Sequence, residues 1–176
     1  RGVPIVKVGV IHPVESFWLH WGPNDKSGLI REELDKNFQD LTKWLLFGSI
    51  DFDFISESLL PGLCPHADAP LRVGEMKYDV IVVPGCETLR SSTLDRLEKF
   101  REDGGRVIFL GEAPTLEDAQ PSDRGERLFK NSEHIPYQRV SLLTALDRSR
   151  TVCIRDDDGY LSDGLIYQLR EDTDSL

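Results

Sequence analysis

The chain is poor in the residues that usually announce a chemistry. Three cysteines, Cys64, Cys86 and Cys153, are spread over 176 residues. They are odd in number and form no CxxC pair, so the sequence signals neither a disulfide framework nor a zinc site. A reducing, cytoplasmic compartment is expected over a secreted one. No apolar run approaches the roughly 20 residues of a membrane span. Positive charge is the minority: 21 Lys and Arg against 31 Asp and Glu leave a formal charge of −10. Nucleic acid and anionic membrane surfaces would repel such a chain and are excluded as expected partners. Glycine-rich phosphate loops of the GxGxxG or Walker type do not follow the first strand, so dinucleotide, P-loop and flavodoxin-type cofactor sites fail there. No cofactor and no metal is expected.

What is present suits one folded domain with a tail, since 39% hydrophobic content is too high for a disordered chain. The expected division is an α/β domain over residues 1–150 and a β-rich tail over 151–176. The opening at Arg1, without methionine or an apolar signal segment, suggests a piece of a longer protein.

Periodicity supplies the architecture. The β-branched run Ile5–Ile11 has the pattern of a strand buried on both faces. Ile30, Leu34, Phe38, Leu41 and Leu45 recur at helical spacing up to a stop at Gly48. "DFDFIS" at 51–56 alternates like a strand, and the Pro- and Gly-bearing stretch after it reads as loop. Next come a strand in "YDVIVVPG", a helix in "SSTLDRLEKFREDGG" and a strand in "RVIFLGEAP". Ser92 and Asp95 resemble a capping box, Leu94, Leu97 and Phe100 should face the core, and Gly104 can take the left-handed cap. This rhythm predicts an open, mostly parallel, flavodoxin-like sheet with helices on both faces. Short helices are expected around Glu126–Phe129 and in "QRVSLLTAL". The tail suggests strands at Thr151–Arg155 and Leu165–Arg170 around an Asp- and Gly-rich turn, either an antiparallel hairpin or the start of a following β-domain.

The unusual segment is "HPVESFWLHWGPNDKSG", residues 12–28, which periodicity leaves as a loop. It holds two of the three tryptophans and two of the four histidines. It follows the first strand, where open α/β sheets bind their ligands. His12, Glu15, Phe17, Trp18, His20 and Trp21 are therefore candidate contacts. The aromatics offer flat faces to sugar rings, with Glu15 and the histidines bonding to hydroxyls. Equally, the same residues suit burial in a domain or subunit interface. Cys86, Glu87 and Glu112 are the candidates at the other strand ends.

"YDVIVVPGCETL" together with "FREDGGRVIFLG", spanning Tyr78–Gly111, resembles the class I glutamine amidotransferase-like domains. That superfamily includes the central domain of glycoside hydrolase family 42 β-galactosidases. The resemblance implies a flavodoxin-like fold and, in the amidotransferases, a nucleophilic cysteine on the turn after the strand that here is "RVIFLG". Gly111, Glu112, Ala113 and Pro114 stand there instead, and His134 lacks the expected His-x-Glu pattern. No catalytic residue is assigned. The implied function is that of a non-catalytic accessory or assembly domain of a larger, β-galactosidase-like glycoside hydrolase. Its partners would be other domains of the parent chain, further copies of itself and, through the tryptophan loop, carbohydrate. The alternative is a small stand-alone enzyme using Cys86 or Glu15 in a strand-end cleft. Cys64 with His66, and His12 with Glu15 and His20, do not match a standard zinc spacing.

Overall fold

A computed structural model describes residues 2–162 and 164–172. In chain order the structure begins with β1 (Val3–Pro4), β2 (Val8–Ile11), α1 (Val14–Leu19), α2 (Asn24–Leu46), β3 (Phe52–Ile55) and α3 (Leu60–Leu63). It continues through β4 (Leu71–Val73), β5 (Met76–Tyr78), β6 (Val80–Pro84), β7 (Thr88–Leu89), α4 (Ser91–Glu102) and β8 (Arg106–Leu110). The last elements are β9 (Leu116–Glu117), β10 (Gln120–Pro121), α5 (Arg124–Lys130), β11 (Glu133–Ile135), α6 (Arg139–Ala145) and β12 (Arg170–Glu171).

The centre is a five-stranded sheet in the order β11-β8-β6-β2-β3, parallel throughout. This is a flavodoxin-like order, reversing direction between β2 and β6. The near-continuous apolar strands arise because each buries both faces. Ile81 and Val83 of β6 join Leu94, Leu97 and Phe100 of α4 and Leu128 of α5 on one side. Val80 and Val82 join Leu41 and Leu45 of α2 and Leu142 of α6 on the other. Helices thus cover both faces, as right-handed crossovers running in opposite directions from the reversal point require.

Several boundaries depart from the periodic reading. Residues 12–28 are not a loop: they contain α1 and the first turns of α2. The burial of α1 is inverted relative to its hydrophobicity, with Ser16 0% exposed and Trp18 59% exposed, so no apolar stripe marks it. The fifth strand, β11, is three residues of mixed polarity beside Pro136 and carries no strand signature. Helix α3 falls within the stretch after β3 that the sequence suggested as loop, and the β4–β5 hairpin, which turns on Gly74 at φ +61°, follows it where the sequence marked no element. No side chain caps α4 from Ser92, since the N-cap residue is Arg90 and the capping oxygens come from distant carboxylates. In the tail, the Asp- and Gly-rich turn does close an antiparallel bridge, Arg155 to Leu161. The second predicted arm does not return to Thr151–Arg155: Arg170 and Glu171 pair antiparallel with Pro4 and Val3.

The junction of α4 and β8 tests the packing. Gly104 takes the left-handed cap at φ +89°. A Cβ on Gly105 would sit 2.2 Å from the ring of Phe100, which is fully buried. Gly105→Ala is expected to destabilise the protein by about 1–3 kcal/mol through overpacking, read as a lowered urea midpoint with an unchanged slope.

Candidate functional site

The carboxyl ends of β6, β8 and β11 open into a cleft of about 720 Å³ whose lining includes Cys86, Glu87, Glu112, His134 and Tyr137. A smaller cavity of about 230 Å³ adjoins it at the β2/β6 reversal, walled by His12, Phe17, Leu34, Phe38 and Tyr137 among others. Leu34, Asn37, Gly85 and Tyr137 border both. This is where a doubly wound sheet places ligands.

The edge is built by α1 docking onto the segment after β6. The Ser16 hydroxyl accepts the Glu87 amide at 2.9 Å and the Thr88 amide at 3.2 Å. One residue before it, Glu15 forms an ion pair with Arg90. At the end of the helix, His20 Nε2 bonds Glu87 Oε1 at 2.5 Å. Glu15, Ser16 and His20 therefore act together as a clamp on residues 87–90. That leaves the aromatics on the outer side: Trp18 is 59% and Trp21 is 75% exposed. Arg31 lies 5.5 Å from the centroid of Trp21 and donates to the carbonyls of His20 and Gly22, which fixes the turn between α1 and α2. Phe17 packs 6.2 Å from Trp21 and also borders the small cavity.

Cys86 lies beneath this clamp. Burial first, then the carboxylates of Glu57 and Glu87, push its thiol well above the ordinary value, so it is held protonated. A thiolate nucleophile needs the opposite surroundings. Glu57 is the residue that the sequence reading missed. It is 2% exposed, its Oε2 accepts the Arg90 amide at 2.8 Å, and its Oε1 has no partner among the described residues. Burial raises its pKa, opposed by the hydrogen bond from the Arg90 amide. Its sequence, "ISES", offers no signal, because a glutamate just past a strand is ordinarily a solvated one.

Glu57 and Asp118 together occupy the start of α4, where Asp118 Oδ1 accepts the Ser91 amide at 3.1 Å. Negative charge there suits the positive end of the helix dipole. It also takes the place that a phosphate would want in a nucleotide-binding sheet. Asp118 and Ala119 reach this point through left-handed φ values of 49° and 62°, at the turn between β9 and β10.

The remaining candidates are placed as follows. Burial lowers the pKa of His12, which sits against Phe38 and Phe54 at ring distances of 5.0 and 5.9 Å. Glu112 is exposed on the cleft rim, where the resemblance placed a nucleophile. Glu15 turns to Arg90. His134 stacks on Phe129 at 4.5 Å. The Cys64 thiol donates to the His66 carbonyl at 3.4 Å, a contact made with the backbone and not the imidazole. Among the described residues no group of three or more His, Cys, Asp or Glu side chains is disposed to hold a metal ion. None of the helices searched among the described residues is long and apolar enough to cross a membrane.

No family model matches this chain, and no curated protein sequence matches it.

Ser16→Ala would leave two amides of the 87–88 segment without their acceptor. The expected cost is about 1–3 kcal/mol, with faster alkylation of Cys86 as α1 loosens, measured by urea denaturation and mass-resolved iodoacetamide labelling. Glu57 makes stability depend on pH. Its folded carboxyl keeps its proton above the ordinary pKa of 4.5, so stability is full below that value and declines as pH rises through the folded pKa. Glu57→Gln keeps an acceptor for Arg90 and cannot ionise. Urea midpoints across pH are expected to show the variant gaining on the parent protein as pH rises.

Proposed function

We propose that this chain is a non-catalytic accessory domain of a larger carbohydrate-active enzyme of the β-galactosidase-like type. Neighbouring domains, further copies of itself and carbohydrate would be its partners at the strand-end edge. The observation that carries the non-catalytic part is the state of Cys86: the thiol at the strand-end cleft is buried, and burial, aided by the carboxylates of Glu57 and Glu87, favours its protonated form. The other two candidates for chemistry are also engaged or unsupported. Glu15 is neutralised by Arg90, and Glu112 is exposed on the rim of the cleft. The carbohydrate part rests on the sequence resemblance and on the exposed indoles of Trp18 and Trp21, which lie beside a cleft whose charged lining is acidic. A reducing compartment accords with three cysteines that are all unpaired, one of them exposed.

The test is labelling combined with turnover. In the folded protein Cys153 is expected to alkylate with iodoacetamide while Cys86 stays unlabelled from neutral to mildly alkaline pH. Aryl glycosides and glutamine should both remain intact. Hydrolysis of either, abolished by Cys86→Ser or Glu112→Gln, would overturn the reading.

A further inference from the structure

We propose that the small cavity at the β2/β6 reversal is a binding site for an uncharged cyclic polyol the size of one monosaccharide. This deepens the accessory-domain reading and rests on it, while assigning the sugar to the cavity behind α1 instead of the exposed tryptophans. The size limits the ligand first. At about 230 Å³ the cavity falls below the roughly 300–1,000 Å³ of a drug-sized site, which leaves room for a single ring.

The wall chemistry limits it further. Phe17, Phe38 and Tyr137 provide apolar ring faces, and His12, Asp35 and Asn37 provide polar groups. A pyranose or cyclitol has the same division, with an apolar C–H face and a rim of hydroxyls. A pure hydrocarbon would desolvate the polar side of the cavity without giving it partners. An anion meets Asp35, exposed at the cavity's edge where it accepts from Gln39, and Glu87 and Glu112 in the adjoining cleft. No lysine or arginine among the described residues lines either cavity, so phosphorylated and carboxylated sugars are disfavoured. With its pKa lowered by burial, the His12 imidazole is neutral at neutral pH and offers hydroxyls one donor and one acceptor. The Tyr137 hydroxyl is already committed to the Asn37 carbonyl at 2.8 Å, which holds the phenol ring in place as a wall between β11 and α2. By contrast, Arg31 already lies over the Trp21 ring on the outer side of α1.

The experiment is a two-dimensional NMR titration of the whole chain with D-galactose, D-glucose, myo-inositol and D-galacturonate, with turnover followed in the same tubes. Saturable shifts at His12, Asn37, Gly85 and Tyr137 are expected with at least one neutral compound and not with galacturonate. Asn37→Ala, which retains the backbone carbonyl that accepts Tyr137, should weaken binding about tenfold, and Trp18→Ala should leave it unchanged. Shifts confined to the Trp18 and Trp21 indoles, equal binding of galacturonate, or flat spectra from a folded protein would each overturn the pocket and leave the accessory reading standing. Shifts at His12 and Asn37 accompanied by turnover of the bound sugar would support the pocket and overturn the non-catalytic reading.

Discussion

The strand-end edge depends on a single hydroxyl. Ser16 is completely buried and accepts two consecutive amides of the segment that leaves β6. Those amides have left the parallel ladder, and a buried N–H without an acceptor is costly. By supplying the acceptor, α1 becomes part of the sheet's end instead of an excursion from it. Glu15 and His20 then reach the same segment from either side of Ser16, at Arg90 and Glu87. Once the polar face of α1 is used in this way, Trp18 and Leu19 have to face outward.

The clamp also fixes the electrostatics. It brings the 86–90 segment against Glu57, whose carboxyl has taken over the start of α4 with Asp118. The helix terminus that could attract an anion is satisfied from within the chain, and the nearby thiol is buried close to the carboxylates of Glu57 and Glu87. One arrangement therefore disfavours both phosphate binding and cysteine nucleophilicity at this edge. The acidic balance of the whole chain acts in the same direction.

Where burial follows hydrophobicity, the sequence is easily read. The alternation of Val80 to Val83 between two cores, the α4 stripe of Leu94, Leu97 and Phe100, and the cap at Gly104 lie where periodicity puts them. Where polar contacts determine the structure, it is not. Helix α1 buries a serine and exposes a tryptophan, and β11 is held by parallel pairing of Glu133, His134 and Ile135 to β8 with no apolar run of its own. Glu57 looks like any surface acid until Arg90 is brought to it across 33 positions. His12, Phe17 and Cys86 are at the strand ends as their positions after β2 and β6 imply. Which of them faces a cavity and which a clamp is set by the direction of α1, and that depends on Ser16.

The cavities themselves follow from a mismatch of lengths. Strands β2 and β3 have four residues each and span about 13 Å at ~3.3 Å per residue. The helix joining them has 23 residues and spans about 34 Å at ~1.5 Å per residue. Only its C-terminal part can lie on the sheet, and its fully buried residues are Leu41 and Leu45. The preceding turns overhang the carboxyl edge, and an overhanging helix needs an anchor or it frays. Arg31 anchors it through the Gly22 carbonyl and the Asn24 side chain, and Tyr137 ties its middle to β11. Held at both points, the overhang forms a wall, with Leu34, Asn37 and Phe38 facing space that the sheet is too short to fill. The same apolar stripe that marks α2 as a core helix thus supplies, in its middle turns, part of the lining of the strand-end cavities.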